Sequence, residues 1–360
     1  MKEKVVLALS GGVDSLSAAL FLRKDFDVVG LHLHTFGEKE DLTLLQEACK
    51  KLSIPLYTED VREQFRLRVI ERVKQEYLSA RTPNICTHCN AELKIPALLS
   101  FADKMNIHYV ATGHYARLLK QEDGCLIQMA KDKWKDQSYM LYRLNQSQLM
   151  RLLLPLGDSL KQEVKQYAGE NGLETVASQR ESYGLCFTNG KPYGDFLRSE
   201  LPELKRLSGG EVKDADGNTA GTHEGYPFYT IGQWKGLNTK EKLHVRQIIA
   251  QSNTVIVGKK EDCFAKNILL TDIHFHQKEK LLAECHRQTF LVKIRGKDEG
   301  NRGWLYLSCN NTGNENSMQI PQSIRINFEQ AVFAPMPGQD AVVYDEHNTI
   351  ILGGTIASAA

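Results

Sequence analysis

Val5-Val6-Leu7-Ala8-Leu9-Ser10-Gly11-Gly12-Val13-Asp14-Ser15 is the stretch that decides the fold. Its first five residues are apolar, which predicts a buried strand, and a helix is predicted directly after it over residues 14–24. The glycine-rich turn between them would bring backbone N–H groups and the positive end of the helix together, which predicts an anion site. A lone Gly-Gly pair would indicate only a turn. The chain has no Gly-x-x-x-x-Gly-Lys-Ser/Thr loop, so ordinary P-loop hydrolysis of a γ-phosphate is not expected.

Apolar runs and amphipathic stretches alternate through the first two thirds of the chain. Further strands are predicted at residues 28–33, 54–57 and 109–112, and further helices at residues 42–52, 61–77 and 91–105. This alternation is typical of an α/β fold, a parallel sheet with helices on both faces. Gly113-His114 follow the last of these strands, at the carboxyl edge where ligands bind in open α/β sheets.

The pattern changes after about Gly209, where closely spaced glycines predict a small, turn-rich module. From about Ile268 one short strand follows another, which predicts a β-barrel or sandwich. The predicted domains are residues 1–202 with the parallel sheet, residues 203–264 as a small central β-rich domain, and residues 265–360 as a C-terminal β-barrel.

The composition excludes several classes of protein. The 360 residues are 42% hydrophobic and 25% charged, which excludes a mainly disordered chain. Lys plus Arg number 45 and Asp plus Glu number 44, so local patches rather than a uniformly basic surface would have to hold a nucleic acid. The first apolar run is too short for a signal peptide, and no run approaches the roughly 18 residues of a membrane span. We therefore expect a cytoplasmic protein with no membrane partner, whose eight cysteines are thiols.

Two places in the chain hold cysteines of chemical interest. Cys86 and Cys89 are spaced Cys-x-x-Cys in a predicted loop, so their sulfurs can reach one metal ion or each other. Cys186 lies in Glu181-Ser182-Tyr183-Gly184-Leu185-Cys186-Phe187, and taken alone it is more often a structural thiol. A four-thiolate zinc site would need a second pair, and the remaining cysteines stand singly: Cys49, Cys125, Cys263, Cys285 and Cys309.

Three further stretches allow both a functional and a purely structural interpretation. Thr112-Gly113-His114-Tyr115 is a strand-end turn, and its histidine is either a site residue or an ordinary hydrogen-bonding residue. Lys135-Asp136-Gln137-Ser138 is either a solvated helix start or part of a site. Arg295 and Lys297 form a modest basic patch that suits phosphate.

Together these motifs resemble one family over nearly the whole chain, the tRNA-specific 2-thiouridylases. The hexapeptide at residues 10–15 is the signature of the PP-loop ATP pyrophosphatases. The other matching motifs occur in the family's order and approximate spacing: Arg81-Thr82-Pro83-Asn84, Cys89-Asn90, Ala111-Thr112-Gly113-His114-Tyr115, Lys135-Asp136-Gln137-Ser138-Tyr139, Gly184-Leu185-Cys186-Phe187, Phe228-Tyr229-Thr230-Ile231-Gly232-Gln233, Lys235-Gly236-Leu237 and Pro337-Gly338-Gln339. The resemblance implies a PP-loop domain of the adenine nucleotide α-hydrolase type, a small central domain and a C-terminal β-barrel.

The resemblance also implies the reaction, an ATP-dependent 2-thiolation of the wobble uridine (position 34) of tRNA. ATP would be cleaved between its α and β phosphates to adenylate O2 of the uridine, with Mg²⁺ on the phosphates and Asp14 beside them. Cys89 and Cys186 would be the catalytic pair: Cys186 accepts a persulfide sulfur from a donor protein, and Cys89 releases it through a disulfide or as hydrosulfide. The residues implied to bind ATP are Ala8, Leu9, Ser10, Gly11, Gly12, Val13, Asp14, Ser15, Leu33 and Gly113.

The partner that the resemblance implies is the anticodon stem-loop of tRNA, and DNA is not implied. Unpaired loop bases suit such recognition because their edges can be splayed into a pocket. The residues implied to contact tRNA are Asn84, Ile85, Cys86, His114, Lys135, Asp136, Gln137, Arg295 and Gln339.

Three positions depart from the family's pattern. Ile85-Cys86 stand where most members have Pro-Asp, Trp234 replaces an arginine, and Gly296 replaces the tyrosine expected after Arg295. The last two departures predict altered tRNA contacts.

The first departure opens a second mechanism. Cys86, Cys89 and Cys186 form a three-thiolate set that resembles the arrangement of iron–sulfur-dependent tRNA thiolases, in which a [4Fe-4S] cluster holds the sulfide. Alternatively, Cys86 is a spare thiol beside the persulfide pair. The spacing allows both.

Two other functions stay open on the sequence. A PP-loop enzyme could adenylate its substrate and then use ammonia or an amine, which would leave the three cysteines without a role. A catalytically altered paralogue could bind tRNA without turnover, which Trp234 and Gly296 favour and the intact loop at residues 10–15 opposes.

Overall fold

The computed structural model describes residues 2–37, 41–122, 124–178, 184–188, 190–239, 241–285, 287–308 and 321–360. Glu181-Ser182-Tyr183, Cys309 and the loop at residues 310–316 lie outside these ranges. The chain forms two compact units. The first comprises Met1–Ile70, Ile85–Phe187 and His347–Ile350, and the second comprises Glu71–Asn84, Thr188–Glu346 and Ile351–Ala360.

The first unit is built on a five-stranded parallel sheet, which confirms the predicted fold class. Its strands are β1 (Glu3–Ala8), β2 (Phe26–His34), β3 (Leu56–Asp60), β4 (Tyr109–Ala111) and β7 (Leu152–Leu153), in the order β3-β2-β1-β4-β7. Val5, Val6 and Leu7 on the central strand are completely buried, because helices cover both faces. The sheet therefore presents the carboxyl ends of β1 and β4 side by side.

A hairpin of β5 (Ala116–Gln121) and β6 (Gly124–Met129) extends from the carboxyl end of β4. Residues 347–350, which also belong to the first unit, form hydrogen bonds with this hairpin. Gln128 Nε2 donates to the carbonyl of His347 at 2.8 Å, and the N–H of Met129 donates to the carbonyl of Asn348 at 2.9 Å.

The helices of the first unit are α1 (Val13–Leu22), α2 (Thr43–Lys51), α3 (Arg62–Phe65), α5 (Ile85–Cys89), α6 (Ile95–Lys104), α7 (Gln146–Leu149), α8 (Lys161–Glu170) and α9 (Glu174–Ala177). The helix predicted over residues 61–77 is confirmed as an uninterrupted helical stretch over residues 62–78, whose geometry changes along its length. The chain passes from α3 through a π-helical segment, Arg66–Ile70, into α4 (Glu71–Leu78), which belongs to the second unit.

The loop predicted around Cys86 and Cys89 is wrong, because both cysteines lie on α5. A second π-helical segment, Asn90–Lys94, joins α5 to α6. Pro83 blocks a helix only at its own position and just before it, so helical structure is free to begin at Ile85. Pro96, which lacks an N–H group, lies in the first turn of α6, where that loss is tolerated.

The second unit is largely β-structure. A five-stranded sheet has the order β10-β9-β8-β12-β11, formed by β8 (Gly210–Lys213), β9 (Thr219–His223), β10 (Asn238–Thr239), β11 (His244–Ile249) and β12 (Thr254–Gly258). A closed barrel follows, with β13 (Phe264–Phe275), β14 (Phe290–Lys293), β15 (Asn301–Ser308), β16 (Ser323–Phe333), β17 (Asp340–Tyr344) and β18 (Ile350–Ala359). The second unit also contains the helices α10 (Tyr193–Glu200) and α11 (Lys278–Glu284). The predicted β-rich module and β-barrel are thus present, and the three domain boundaries stay a prediction.

Candidate active site

The predicted anion site is the turn that joins β1 to α1. Gly11 has a φ of +81°, a left-handed conformation that glycine adopts without strain. The Ser15 hydroxyl donates to the carbonyl of Gly12 at 2.9 Å and accepts from the N–H of Ser10 at 3.2 Å, which fixes the turn. No side chain of the described residues caps α1, so the N–H groups of its first turn are available to an anion.

Gly113, predicted to bind ATP, supports this turn from the end of β4. A Cβ atom at this position would lie 2.9 Å from the carbonyl carbon of Asp14 and 2.9 Å from the nitrogen of Ser15. Both contacts are with backbone, which cannot move aside as a flexible side chain does. Glycine is therefore required because the backbone after β4 closely approaches the first turn of α1.

Asp14 lies at the centre of a small polar cluster. Its Oδ1 accepts a hydrogen bond from the Tyr115 hydroxyl at 2.8 Å and lies 2.5 Å from Lys161 Nζ. Tyr115 and Lys161 are both buried, while the Asp14 side chain is 38% exposed. The buried ammonium group places a positive charge beside the turn, which suits a bound anion because burial strengthens the attraction.

The remaining residues predicted to bind ATP line the same edge of the sheet. Ala8 ends β1 and pairs with Leu31 of β2, while Leu9 is buried directly after it. Leu33 is half-buried near the end of β2. Val13, at the start of α1, is buried. The structure therefore brings the predicted ATP residues together at the carboxyl edge.

The catalytic cysteines predicted from the resemblance come from separate parts of the first unit. Cys89 is buried at the end of α5 and Cys86 is half-buried one helical turn earlier. Cys186 is exposed on a 3-10 turn, Cys186–Thr188. All three are free thiols.

The turn that carries Cys186 is held by the aromatic ring that follows it. Phe187 is buried, and its ring lies 6.0 Å from that of Phe36 and 6.1 Å from that of Phe65, both in edge-on geometry. Such aromatic contacts add to the stabilisation from burial. An exposed thiol is thus attached to a fixed backbone.

Lys94 is the residue that connects the cysteines electrostatically. In the π-helical segment the N–H of Ile95 bonds the carbonyl of Asn90, five residues back, so residues five apart lie on roughly the same side. Cys89 and Lys94 have this separation. Side chains stabilise the segment: Gln148 Nε2 donates to the carbonyl of Ala91 at 2.9 Å.

Burial and charge act in opposite directions on these thiols. Burial raises the pKa of Cys89 to about 11, Lys94 opposes this increase, and Cys186 adds to it. The pKa of Cys86 is raised for the same reasons. Burial lowers the pKa of Lys94, but the charges of Cys89, Cys186 and Cys86 outweigh this and raise it overall. Cys86 and Cys89 are therefore close enough to Lys94 to gain acidity from its charge.

His114, predicted to contact tRNA, is neutral at pH 7. Burial lowers its pKa to about 4, and the charge of Lys94 adds to the effect. The Thr112 hydroxyl lies 2.8 Å from His114 Nδ1, which orients the ring. The imidazole can therefore act as a neutral hydrogen-bonding group but not as a cation.

The predicted three-thiolate metal set is not supported by the geometry. Over the described residues, no group of three or more His, Cys, Asp or Glu side chains is placed so that it could hold a metal ion. Cys86, Cys89 and Cys186 interact through charge, but the set they form is not one that could hold a metal ion, so the mechanism below does not use an iron–sulfur cluster.

Comparison with known proteins establishes the family. Residues 3–190 match the family model described as the tRNA methyl transferase HUP domain, and residues 194–259 match the tRNA methyl transferase PRC-barrel domain. The tRNA-specific 2-thiouridylase MnmA of Chlorobium luteolum is 37% identical over 370 residues, which cover 100% of this chain and 97% of the relative. The MnmA of Cytophaga hutchinsonii is 35% identical over 376 residues, covering 99% and 98%. This chain belongs to the tRNA-specific 2-thiouridylase family.

A solved structure shows a more distant likeness. The NH3-dependent NAD synthetase from Campylobacter jejuni aligns with a TM-score of 0.34 and 18% identity, covering 57% of this chain and 78% of the synthetase. At this level the overlap supports no argument about function. Within the described residues of this 2-thiouridylase family member, no helix is long and apolar enough to cross a membrane.

The motif at residues 135–137 combines structural and accessible groups. Asp136 is buried, and its carboxylate accepts hydrogen bonds from the N–H groups of Ala130 and Ser138 and from the Ser138 hydroxyl. Gln137 Oε1 accepts from the N–H of Tyr115 at 2.9 Å. Lys135 is half-buried. The Asp136 carboxylate and the Gln137 amide therefore stabilise the turn in this family member.

Three other residues predicted to contact tRNA lie in the second unit, where their polar atoms have internal partners. Asn84 is buried, and its Nδ2 donates to Asp340 Oδ2 at 3.0 Å. Gln339 Nε2 donates to the carbonyl of Pro83 at 3.3 Å. Arg295 Nη2 donates to the carbonyls of Phe333 and Ala334. Ile85, at the start of α5 in the first unit, is buried.

Sequence reasoning missed Lys94 and Lys161. Lys161 is the first residue of α8, where a positive charge opposes the helix dipole, so its position was the available signal. Lys94 gave no comparable signal, because the π-helical geometry that brings it to Cys89 is not readable from the pattern of apolar residues.

Proposed function

We propose that this chain catalyses the ATP-dependent 2-thiolation of the wobble uridine of tRNA. One observation carries the proposal: the first unit holds both an open anion turn with Asp14 and a pair of free thiols, Cys89 and Cys186, that share Lys94. An enzyme that only adenylates and amidates has no use for the second feature. Membership of the 2-thiouridylase family over the whole chain supports the same reaction.

In the first step, the turn at residues 10–15 would bind the β and γ phosphates of ATP through its N–H groups. Lys161 would neutralise phosphate charge, and Tyr115 would orient Asp14. Both hydrogen bonds that the structure gives the Asp14 side chain go to Oδ1, so Oδ2 suits a cation. Asp14 would hold Mg²⁺ together with the phosphates, and the bound ion would supply charge neutralisation. O2 of the uridine attacks the α phosphorus, pyrophosphate leaves, and the base becomes activated.

In the second step, Cys186 would carry a persulfide whose outer sulfur comes from a persulfide donor protein. The outer sulfur attacks C2 of the uridine and AMP leaves with the O2 atom. The Cys89 thiolate then attacks Cys186 Sγ, which breaks the S–S bond, leaves the sulfur on the uridine and forms a Cys89–Cys186 disulfide. A thiol reductant must reopen this disulfide before the next cycle, which fits a protein of the reducing cytoplasm.

The experiment that tests the proposal measures two products from one reaction. Unmodified tRNA is incubated anaerobically with the protein, ATP, Mg²⁺ and a persulfide source. Nucleoside mass spectrometry then quantifies 2-thiouridine, and a separate assay quantifies AMP. We expect ATP-dependent 2-thiouridine at the wobble position.

Matched variants separate the two steps. Cys186→Ser should abolish thiolation and leave AMP formation, whereas Asp14→Asn should abolish both, since it removes the charge that faces Lys161. Cys125→Ser is the control, because Cys125 is a buried thiol in the hairpin. If Cys186→Ser thiolates tRNA at the normal rate, the sulfur assignment is wrong. If a folded wild-type protein binds ATP and makes no 2-thiouridine, the proposed reaction is wrong.

A further inference from the structure

The turn at residues 131–137 exposes a large aromatic side chain. Trp134 is 83% exposed, the highest fraction among the large hydrophobic residues that the structure describes. No side chain of the described residues stacks on its ring. Exposure of one tryptophan is costly in water, and tryptophan offers the widest stacking surface of any side chain.

The turn is rigid, because the aspartates on either side of Trp134 point inward. Asp132 Oδ1 accepts hydrogen bonds from the N–H groups of Trp134 at 3.1 Å and of Lys135 at 3.3 Å. Asp136 is buried, and its carboxylate accepts hydrogen bonds from Ala130 and Ser138. A fixed backbone limits the entropy that the tryptophan would lose on stacking.

The outward side of the turn is positive. Lys131 and Lys133 are exposed, while both negative charges of the turn are used in hydrogen bonds with the backbone. Lys131 Nζ lies 3.9 Å from Glu163 Oε2, a surface ion pair worth little. An exposed aromatic ring between lysines is the pattern of a surface that binds single-stranded nucleic acid.

Two residues, Lys161 and Tyr115, connect this turn to Asp14 in the nucleotide site. Asp132 Oδ2 accepts from the N–H of Lys161 at 2.9 Å, and Lys161 Nζ contacts Asp14. Gln137 Oε1 accepts from the N–H of Tyr115, whose hydroxyl contacts Asp14. The turn that carries Trp134 is therefore linked by hydrogen bonds to the residues that contact Asp14.

We propose that Trp134 stacks on an unpaired base of the anticodon loop next to the target uridine, with Lys131 and Lys133 facing the adjoining phosphates. The inference rests on the proposed function for the identity of the RNA. A target base that enters the site leaves its neighbours unstacked, and the tryptophan replaces the lost stacking. Trp134 is thus a positioning residue for the substrate.

The test uses the fluorescence of Trp134 itself. Trp234→Phe and Trp304→Phe together leave Trp134 as the single tryptophan of the chain. Titration with an unmodified anticodon stem-loop RNA should quench the emission. A fully paired RNA duplex of the same length should bind more weakly and leave the emission unchanged, since it offers no free base face.

Binding of the stem-loop to Trp134 variants gives the second measurement. Trp134→Ala should weaken binding by about 5- to 150-fold, the range equivalent to ~1–3 kcal/mol for loss of one base–aromatic stack. Trp134→Phe should retain most of the affinity and Trp134→Leu should not, because leucine is apolar without a π face. Unchanged thermal melting would show that each variant folds.

Three outcomes would overturn the inference: affinity of Trp134→Ala within twofold of wild type, equal quenching by duplex and stem-loop, or full affinity in Trp134→Leu. These outcomes differ from failure of the proposed function. If wild type makes no 2-thiouridine but Trp134 is still quenched by the stem-loop, the reaction is wrong and the stacking surface stands. If thiolation proceeds but the stem-loop does not quench Trp134, the stacking surface is wrong and the proposed reaction stands.

Discussion

The nucleotide turn and the cysteine site lie in the same unit but are built in different ways. The turn depends on close backbone contacts, such as that between Gly113 and Asp14, and on hydrogen bonds within six consecutive residues. The cysteine site joins a buried helix end, an exposed turn and one lysine, and charge interactions link its members.

This difference in construction indicates which kind of substitution should affect the nucleotide turn and which should affect the cysteine site. Backbone geometry and a buried lysine, Lys161, are fixed at the nucleotide turn, so a change of shape or of buried charge should impair the use of ATP. Reactivity is set at the cysteine site, so a change of charge should alter rates there while leaving the fold intact. Four predictions follow this division.

Lys161→Met should have the largest effect, a decrease of about 10²- to 10³-fold in the rate of AMP formation. The variant removes a buried positive charge that would face the leaving pyrophosphate, and such charges contribute most in a buried site. Methionine fills a similar volume. Single-turnover assays of AMP with tRNA present measure the rate, with Lys50→Met on the exposed face of α2 as the control. A normal rate would remove Lys161 from the site.

Gly113→Ala should weaken ATP binding by about 5- to 150-fold, since relieving an overpacked contact costs ~1–3 kcal/mol. The added methyl group would displace the backbone of Asp14 and Ser15. Calorimetric titration with a non-hydrolysable ATP analogue measures the affinity. Gly169→Ala is the matched control, because a Cβ at this helical position meets no atom within 4 Å. Equal affinity in both variants would mean that the turn tolerates a change of shape.

Alkylation of Cys89 by iodoacetamide should accelerate by about tenfold per pH unit between pH 7 and pH 10. The pKa of Cys89 is raised to about 11, so the protonated thiol is the main form between pH 7 and pH 10. The fraction in the reactive thiolate form therefore increases with pH over this range. Peptide mass spectrometry resolves the rate at each cysteine. A rate that is already constant above pH 8 would show that the thiol is more acidic than its burial predicts.

Lys94→Met should slow alkylation of Cys89 at pH 8 by several-fold, the smallest of the four effects. Loss of the positive charge raises the pKa of the thiol further and reduces its thiolate fraction. Lys104→Met, at the end of α6, is the control. A faster reaction in Lys94→Met would mean that the lysine shields the cysteine instead of activating it.

The sequence predicted the contiguous part of the site and missed what depends on distant packing. The parallel sheet, the turn at residues 10–15 and the barrel follow from local patterns of apolar residues and glycines. The helix that carries Cys86 and Cys89 does not, because Pro83 and the cysteines resemble a loop when viewed locally. Asn84 and Gln339 likewise gave no sign that they bond Asp340 and Pro83, which are distant from them in the chain.

The interleaving of the two units along the chain affects how the protein can fold during synthesis on a ribosome. The first unit needs residues 347–350 for its hairpin, and the second unit needs residues 71–84, which emerge before most of the first. Neither unit can therefore be completed while the other is still untranslated. A nascent chain stopped after the parallel sheet would hold helix α4 without its own unit and the β5–β6 hairpin without its last partner, and in this state it would be a substrate for chaperones.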